Sequence, residues 1–326
     1  MDHINLKWGV EKQHLTGSGS ARCPVASIAI QPHTATNICN NLFCFPSGCI
    51  DGTDNVTQDV KYLLFDVESV ADGELIAKTR HAGDQLSGRE AIQRFRNELL
   101  ITSGRDFIPY TYHFPVAVVI AKLRADLSLI EIVSLDQPLH RPHVITKHFW
   151  TGWEAYDKPT WVTFNGRSFD IPLMEHAAFR YGVPIPRWMN LNERSYEQSR
   201  NRYNLDAHID LHDVLTNYGA TWYRGGLNLA ASLLGKPGKM EVQGDMVYDL
   251  YCQGRIEEIN EYCRCDVLDT YFVFLRTMLL MGKHTVEQEQ QLVNQARSLL
   301  ETQSHLHPAY QSYLEQWGDW DNPWQD

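Results

Sequence analysis

The stretch Lys61-Tyr62-Leu63-Leu64-Phe65-Asp66-Val67-Glu68 decides how the rest of this 326-residue chain is read. Its short apolar run predicts a central β-strand. Asp66 and Glu68 close that strand two residues apart, so strand alternation places both on one face. Two carboxylates side by side repel, and the arrangement is costly unless a cation lies between them. Hard oxygen ligands at this spacing suit Mg²⁺ or Mn²⁺. The D-x-E pattern alone is weak, since composition predicts about one chance occurrence in such a chain. A second one, Asp72-Gly73-Glu74, sits beside a turn glycine and carries no such meaning. What separates Asp66 and Glu68 is their place where a buried strand meets solvent, a common setting for α/β active sites.

Outward from this strand, Ser87-Gly88-Arg89-Glu90 matches a capping box and predicts a helix through about Thr102. Runs at 114–122 and 127–135, separated by Arg124-Ala125-Asp126, read as an antiparallel hairpin next to the first strand. Residues 160–164 read as another short strand, and 171–181 as a helix closed by Gly182. Helical spacing then dominates at 209–218, 227–234 and 255–281, with Gly225-Gly226 and Gly235-Lys236-Pro237-Gly238 as breakers. Strands, then a strand–helix unit, then helices predict a mixed α/β domain over residues 60–282. Residues 1–59 show no sustained period and read as a poorly ordered extension. Residues 283–326 read as one more helix, at about 284–302, and an acidic, Trp-rich tail from His307.

Composition is ordinary for a globular protein, with 43% hydrophobic and 21% charged residues. The net charge of −11 argues against coating nucleic acid or an anionic membrane by bulk electrostatics. Its distribution matters more. Residues 1–59 carry −2 and residues 283–326 carry −5, leaving 24 basic against 28 acidic residues in 60–282. Seven cysteines in a chain this long favour reduced thiols and a cytoplasmic setting. Cys39, Cys44 and Cys49 with Cys23 upstream invite a zinc reading, but no tight C-x2-C pair supports it. No stretch approaches the roughly 20 apolar residues of a membrane span, and no signal peptide is indicated.

Two further patterns complete a constellation. Phe164-Asn165-Gly166-Arg167-Ser168-Phe169-Asp170 is a strand end, a tight turn and a helix start, where an aspartate alone would read equally well as a cap. Tyr262-Cys263-Arg264-Cys265-Asp266 lies within the long helix, where residues four apart share a face. Alone it is a surface aspartate beside a half-buried tyrosine, and Tyr62 with Asp66 fits the same spacing without helical context. D-x-E, N-x3-F-D and Y-x3-D in this order, on strand, turn and helix, form a far more specific set. Together they resemble the three exonuclease motifs of the DEDD superfamily, and most closely the stand-alone predicted exonucleases related to the exonuclease domain of family B DNA polymerases. The resemblance covers about residues 60–282. It implies a ribonuclease-H-like mixed sheet flanked by helices and a 3′–5′ exonuclease. It implies that Asp66, Glu68, Asp170 and Asp266 hold two divalent metals and that Tyr262 orients the attacking water. Glu261 stands where the histidine subtype carries its histidine, which implies the tyrosine subtype. Asn165 would support the site by hydrogen bonds, Phe169 would pack beneath it, and Ser69 would contact the terminal nucleotide.

The substrate implied is the 3′ end of a single strand, with DNA favoured, RNA trimming as the alternative, and a silent nucleic-acid-binding module on the same fold as a third reading. Basic residues interleaved with aromatics suit a single strand: Arg200 and Arg202 foremost, with Arg194, Tyr196 and Tyr203, then Arg224, Lys236 and Lys239. The bland alternative is a solvated loop. The length leaves no room for a polymerase domain, so any proofreading would act in trans. The acidic tail, with Trp317, Trp320 and Trp324, reads as a disordered segment or one that docks a protein partner.

Overall fold

A computed structural model describes residues 59–238 and 246–324. The expected N-terminal extension, the cysteine cluster weighed for zinc, and Lys239 lie outside them. The apolar run forms the centre of a five-stranded sheet: β1 spans Tyr62–Ala71. Two helices follow, α1 (Gly73–Arg80) and α2 (Gly88–Ser103). Asp72 accepts the Leu75 N–H as the cap of α1 and pairs with Arg180, so the second D-x-E is structural. The predicted capping box of α2 is present, with Ser87 and Glu90 satisfying each other's backbone N–H.

The chain then runs through β2 (His113–Leu123), β3 (Leu129–Ser134), α3 (Pro142–Ala155), β4 (Thr160–Thr163) and α4 (Asp170–Tyr181). Gly182, at φ +68°, ends α4 as expected. Next come β5 (His208–Asp210), α5 (Leu211–Leu215), α6 (Gly226–Ser232) and α7 (Val247–Cys252). The long α8 (Ile256–Leu280), α9 (Val286–Gln303) and α10 (Pro308–Glu315) close the described chain. The predicted helix at 209–218 divides. Ile209 is buried in β5 beside β4, and Asp210 caps only a five-residue helix.

The strand order is β3-β2-β1-β4-β5, with β2 antiparallel to β1 and β3, and β4 parallel to β1 and β5. This is the ribonuclease-H-like mixed sheet implied by the motifs. Alternation in β1 sorts its two faces. Leu63, Phe65 and Val67 join α3 and α4 in one core, around Phe149, Trp150, Trp153 and Trp161. Leu64 joins α8, α9 and α10 in the other. Burying side chains of this size contributes roughly 1.5–3 kcal/mol each.

The C-terminal tail is part of that second core, which corrects the expectation of a disordered segment. Tyr310 and Tyr313 are fully buried. Trp317 packs 5.1 Å from Phe272, and Trp320 lies beneath the Arg276 guanidinium. Only Trp324 of the three tail tryptophans remains largely exposed. Aromatic rings, not acidic residues, decide how this segment is placed. Among the described cysteines, Cys263 and Cys265 carry free, buried thiols. No described helix is long and apolar enough to cross a membrane.

Candidate active site

The carboxylates converge because three elements end or pass at one point. Asp66 and Glu68 share the β1 face that carries Leu64 toward α8. The β1–β2 register shifts immediately after, between Glu68 and Ser69, where β2 carries one extra residue. On α8, Cys263 donates its thiol to the Asp66 backbone carbonyl and to Asp66 Oδ2, both at 3.4 Å, which pins helix to strand. Asp266, almost one turn further on, completes a group with Asp66 and Glu68 whose ligand oxygens all lie within 4.8 Å of one another. Oxygen-only donors so close together fit a hard divalent cation.

Asp170 opens α4 in its first turn, where the helix dipole favours a negative charge. It stands outside the 4.8 Å group but acts on it electrostatically. Burial raises the Asp66 carboxyl above the ordinary range, and the Asp170 charge raises it further. Burial likewise raises Asp170, followed by the charges of Asp210 and Asp266. The Tyr262 hydroxyl is hydrogen-bonded to Asp266, and burial with three carboxylates keeps it firmly protonated. The motif residues expected from three separate segments therefore meet at one site.

The neighbouring expectations fare differently. Ser69 Oγ is hydrogen-bonded to His113 Nδ1 at 3.0 Å, and burial drives that imidazole down to about 4, so it stays neutral. Phe169 makes edge contacts with Phe107 (5.6 Å) and His113 (5.9 Å). Asn165 is exposed. Its Oδ1 accepts Ser168 Oγ at 2.8 Å, so its side chain serves the turn rather than the carboxylates.

The two foremost basic candidates each pair with an acidic side chain of the protein. Arg200 holds Glu175 with two bonds, of 2.8 and 3.0 Å. Arg202 pairs with Asp213 at 3.0 Å and lies over the Tyr203 and Tyr218 rings. Arg194 donates to the Tyr196 hydroxyl. Lys236 is buried, donating to the Gly318 carbonyl and resting on Trp317. Arg224 and Trp222 remain exposed. Glu261 faces the tail, accepting the Ala309 N–H and pairing with Arg264 and His307.

One buried carboxylate was missed by the motif reading. Asp210, 2% exposed, is raised by burial, and its charge acts on Asp170. The signal available was an aspartate between a strand's last apolar residue and a helix start.

The solved structure of the family B DNA polymerase from Pyrobaculum calidifontis is similar at 15% identity and a TM-score of 0.44, covering 76% of this chain and 29% of the polymerase. The chain thus spans under a third of that protein's length. No curated protein matches. The model of a family described as predicted 3′–5′ exonucleases related to the exonuclease domain of PolB matches residues 105–317, more than half of the chain. The match takes in Asp170, Tyr262 and Asp266, while Asp66 and Glu68 lie upstream of it and are tied to the site by geometry. The chain belongs to the family of predicted 3′–5′ exonucleases related to the exonuclease domain of PolB.

Proposed function

We propose that this protein is a metal-dependent 3′–5′ exonuclease of the tyrosine subtype, removing nucleotides from single-stranded 3′ ends, with DNA as the favoured polymer. The observation that carries the reading is the meeting of Asp66, Glu68 and Asp266 oxygens within 4.8 Å, beside a tyrosine bonded to the same Asp266. Asp66, Glu68 and Asp266 would hold Mg²⁺ or Mn²⁺, with Asp170 completing a two-metal set. Such a pair, when bound, supplies an activated water and stabilises charge on the attacking and leaving oxygens.

The chain's own residues do the rest. Tyr262 stays protonated, so its hydroxyl orients an attacking water as a hydrogen-bond partner and not as a base. Asp266 fixes the direction of that hydroxyl. With Arg200 and Arg202 already paired to Glu175 and Asp213, fewer of their donors are left for the strand. Its grip is correspondingly weak and salt-sensitive.

Single-stranded DNA and RNA labelled at the 5′ end, incubated with Mg²⁺ or Mn²⁺, test this directly. A ladder shortening from the 3′ end, absent in Asp66→Ala, is expected with DNA. A ladder with RNA alone would reassign the polymer, and degradation of neither under any metal condition would overturn the enzyme reading in favour of a silent binding module. In Tyr262→Phe, turnover falls roughly 10- to 100-fold while Mn²⁺ binding is retained.

A further inference from the structure

The turn that delivers Asp170 is held from outside. It joins β4 to α4 through Asn165, which adopts a left-handed φ of +65°, and Gly166, where a Cβ would stand 2.6 Å from the Thr163 side chain. Backbone of this kind persists where its surroundings over-determine it. Within the turn, Ile171 N–H reaches the Gly166 carbonyl at 2.9 Å and Ser168 Oγ caps Asn165. The tie to the rest of the sheet comes from Asp210, at the register position beside Thr163 on the parallel strand β5. Its Oδ1 accepts the Asn165 N–H at 2.9 Å, and its Oδ2 accepts the Arg167 N–H at 2.8 Å. The same carboxylate caps α5, with Oδ1 accepting from His212 at 3.0 Å and Asp213 at 3.4 Å. The Arg167 side chain braces the turn from a second direction, donating to Asp213 Oδ2 and to the His208 carbonyl.

A cap for α5 alone would need only one acceptor, and serine supplies that well. A buried carboxylate beside Asp170 adds a like charge where the site already gathers several, which is unfavourable on its own account. What it provides that a neutral cap does not is two strong acceptors pointing two ways. From this geometry we infer that Asp210 is a positioning residue for the proposed hydrolysis: it clamps the Asn165 and Arg167 amides and thereby sets the place of Asp170. It touches neither substrate nor reacting atoms. The inference rests on the exonuclease reading above, and its test is built so that the two fail separately.

Two substitutions dissect the clamp. Asp210→Ser keeps a cap for α5 but is too short to span to the turn. Asp210→Asn keeps Oδ1 for three of the four N–H groups and sets an amide donor against Arg167 N–H. Three measurements on the full chain are compared with wild type: cleavage of single-stranded DNA, the Mn²⁺ concentration at half-maximal rate, and the unfolding temperature. A displaced Asp170 predicts that kcat falls roughly 10- to 100-fold in Asp210→Ser, with KM for the strand changed by less than about threefold. Half-saturating Mn²⁺ rises and the unfolding temperature drops by a few degrees. Folded variants whose kcat and Mn²⁺ dependence both stay within about twofold of wild type would reduce Asp210 to a helix cap and overturn the inference.

If neither variant folds, amide exchange on the wild-type protein decides. The clamp requires the Asn165 and Arg167 amides to exchange as slowly as those of β4, and exchange at open-loop rates rejects it. A wild-type protein that degrades no polymer sinks the exonuclease reading. The clamp is then still judged by amide exchange and by Mn²⁺ binding to the Asp210 variants.

Discussion

The two halves of α8 make opposite use of buried polar groups. In the first half, Tyr262 and Asp266 face Asp66 and Glu68, and like charges are gathered within 4.8 Å. Further along the helix, buried polar side chains meet complementary partners. Asp269 accepts the Tyr313 hydroxyl at 2.6 Å, and Arg276 holds Glu289 with bonds of 2.8 and 3.0 Å while covering Trp320. Gathering like charges costs stability that only a bound cation offsets. Complementary pairing holds the tail to the core and needs no ligand. On one helix, the sign of the neighbours separates a site from a scaffold.

The largest effect that tests this contrast comes from Asp66→Asn. Activity is expected to fall by roughly 100- to 1,000-fold or more. The metal-free variant should nevertheless unfold at a higher temperature than metal-free wild type at pH 8, because one of several repelling buried charges is gone. Mn²⁺ should raise the wild-type unfolding temperature markedly and that of the variant little. Thermal scans in chelator and in Mn²⁺ check both, and a variant less stable than wild type without metal would break the comparison.

Tyr313→Ala tests the other half. It empties a fully buried site and removes the donor to Asp269, so a loss of about 3–5 kcal/mol is expected from denaturant unfolding. Turnover measured where the variant is still folded should match wild type within about twofold. A collapse of kcat in folded protein would show that the tail supports the chemistry after all.

The contrast also explains what was legible in the sequence. The motif residues were readable because chemistry constrains their type and spacing at once, as in Asp66 with Glu68 and Tyr262 with Asp266. Helices with explicit boundary chemistry were readable too: Ser87 and Glu90 open α2, and Gly182 closes α4. The α3 stripe of Ile145, Phe149, Trp150 and Trp153 carries helical spacing as well, but no side-chain cap marks where it begins. The tail was misread because its acidic residues dominate composition, whereas Tyr310, Tyr313 and Trp317 dominate its burial. The pairing of Arg200 and Arg202 with Glu175 and Asp213, 25 and 11 residues away, leaves no local signature. Asp210 carried only the weak signal of an aspartate between a strand end and a helix start, because its role lies in amides 43 and 45 residues upstream.

The finest test sits on the boundary between the halves, at Asp269, three residues beyond Asp266. Burial raises its carboxyl to about 7, although the Tyr313 hydroxyl bond pulls the other way. The folded state therefore retains a proton that the unfolded chain releases near pH 4, and this contribution to stability is lost as pH rises through about 7. Asp269→Asn stays neutral at every pH and keeps an acceptor for Tyr313. In chelator, its advantage over wild type should be small at pH 5, where the folded carboxyl still keeps its proton and only the unfolded chain is ionised. At pH 8 that advantage should be larger by about 2–3 kcal/mol, since the wild-type fold must by then carry a buried charge. Denaturant titrations at the two pH values measure this, and the variant should keep its turnover and Mn²⁺ dependence. Both halves of that outcome are needed. Asp66→Asn also relieves buried charge, but at the expense of activity, whereas Asp269→Asn should relieve it at none. If Asp269→Asn loses Mn²⁺ binding, Asp269 belongs to the metal-holding set, and the line between site and scaffold moves at least one turn further along α8.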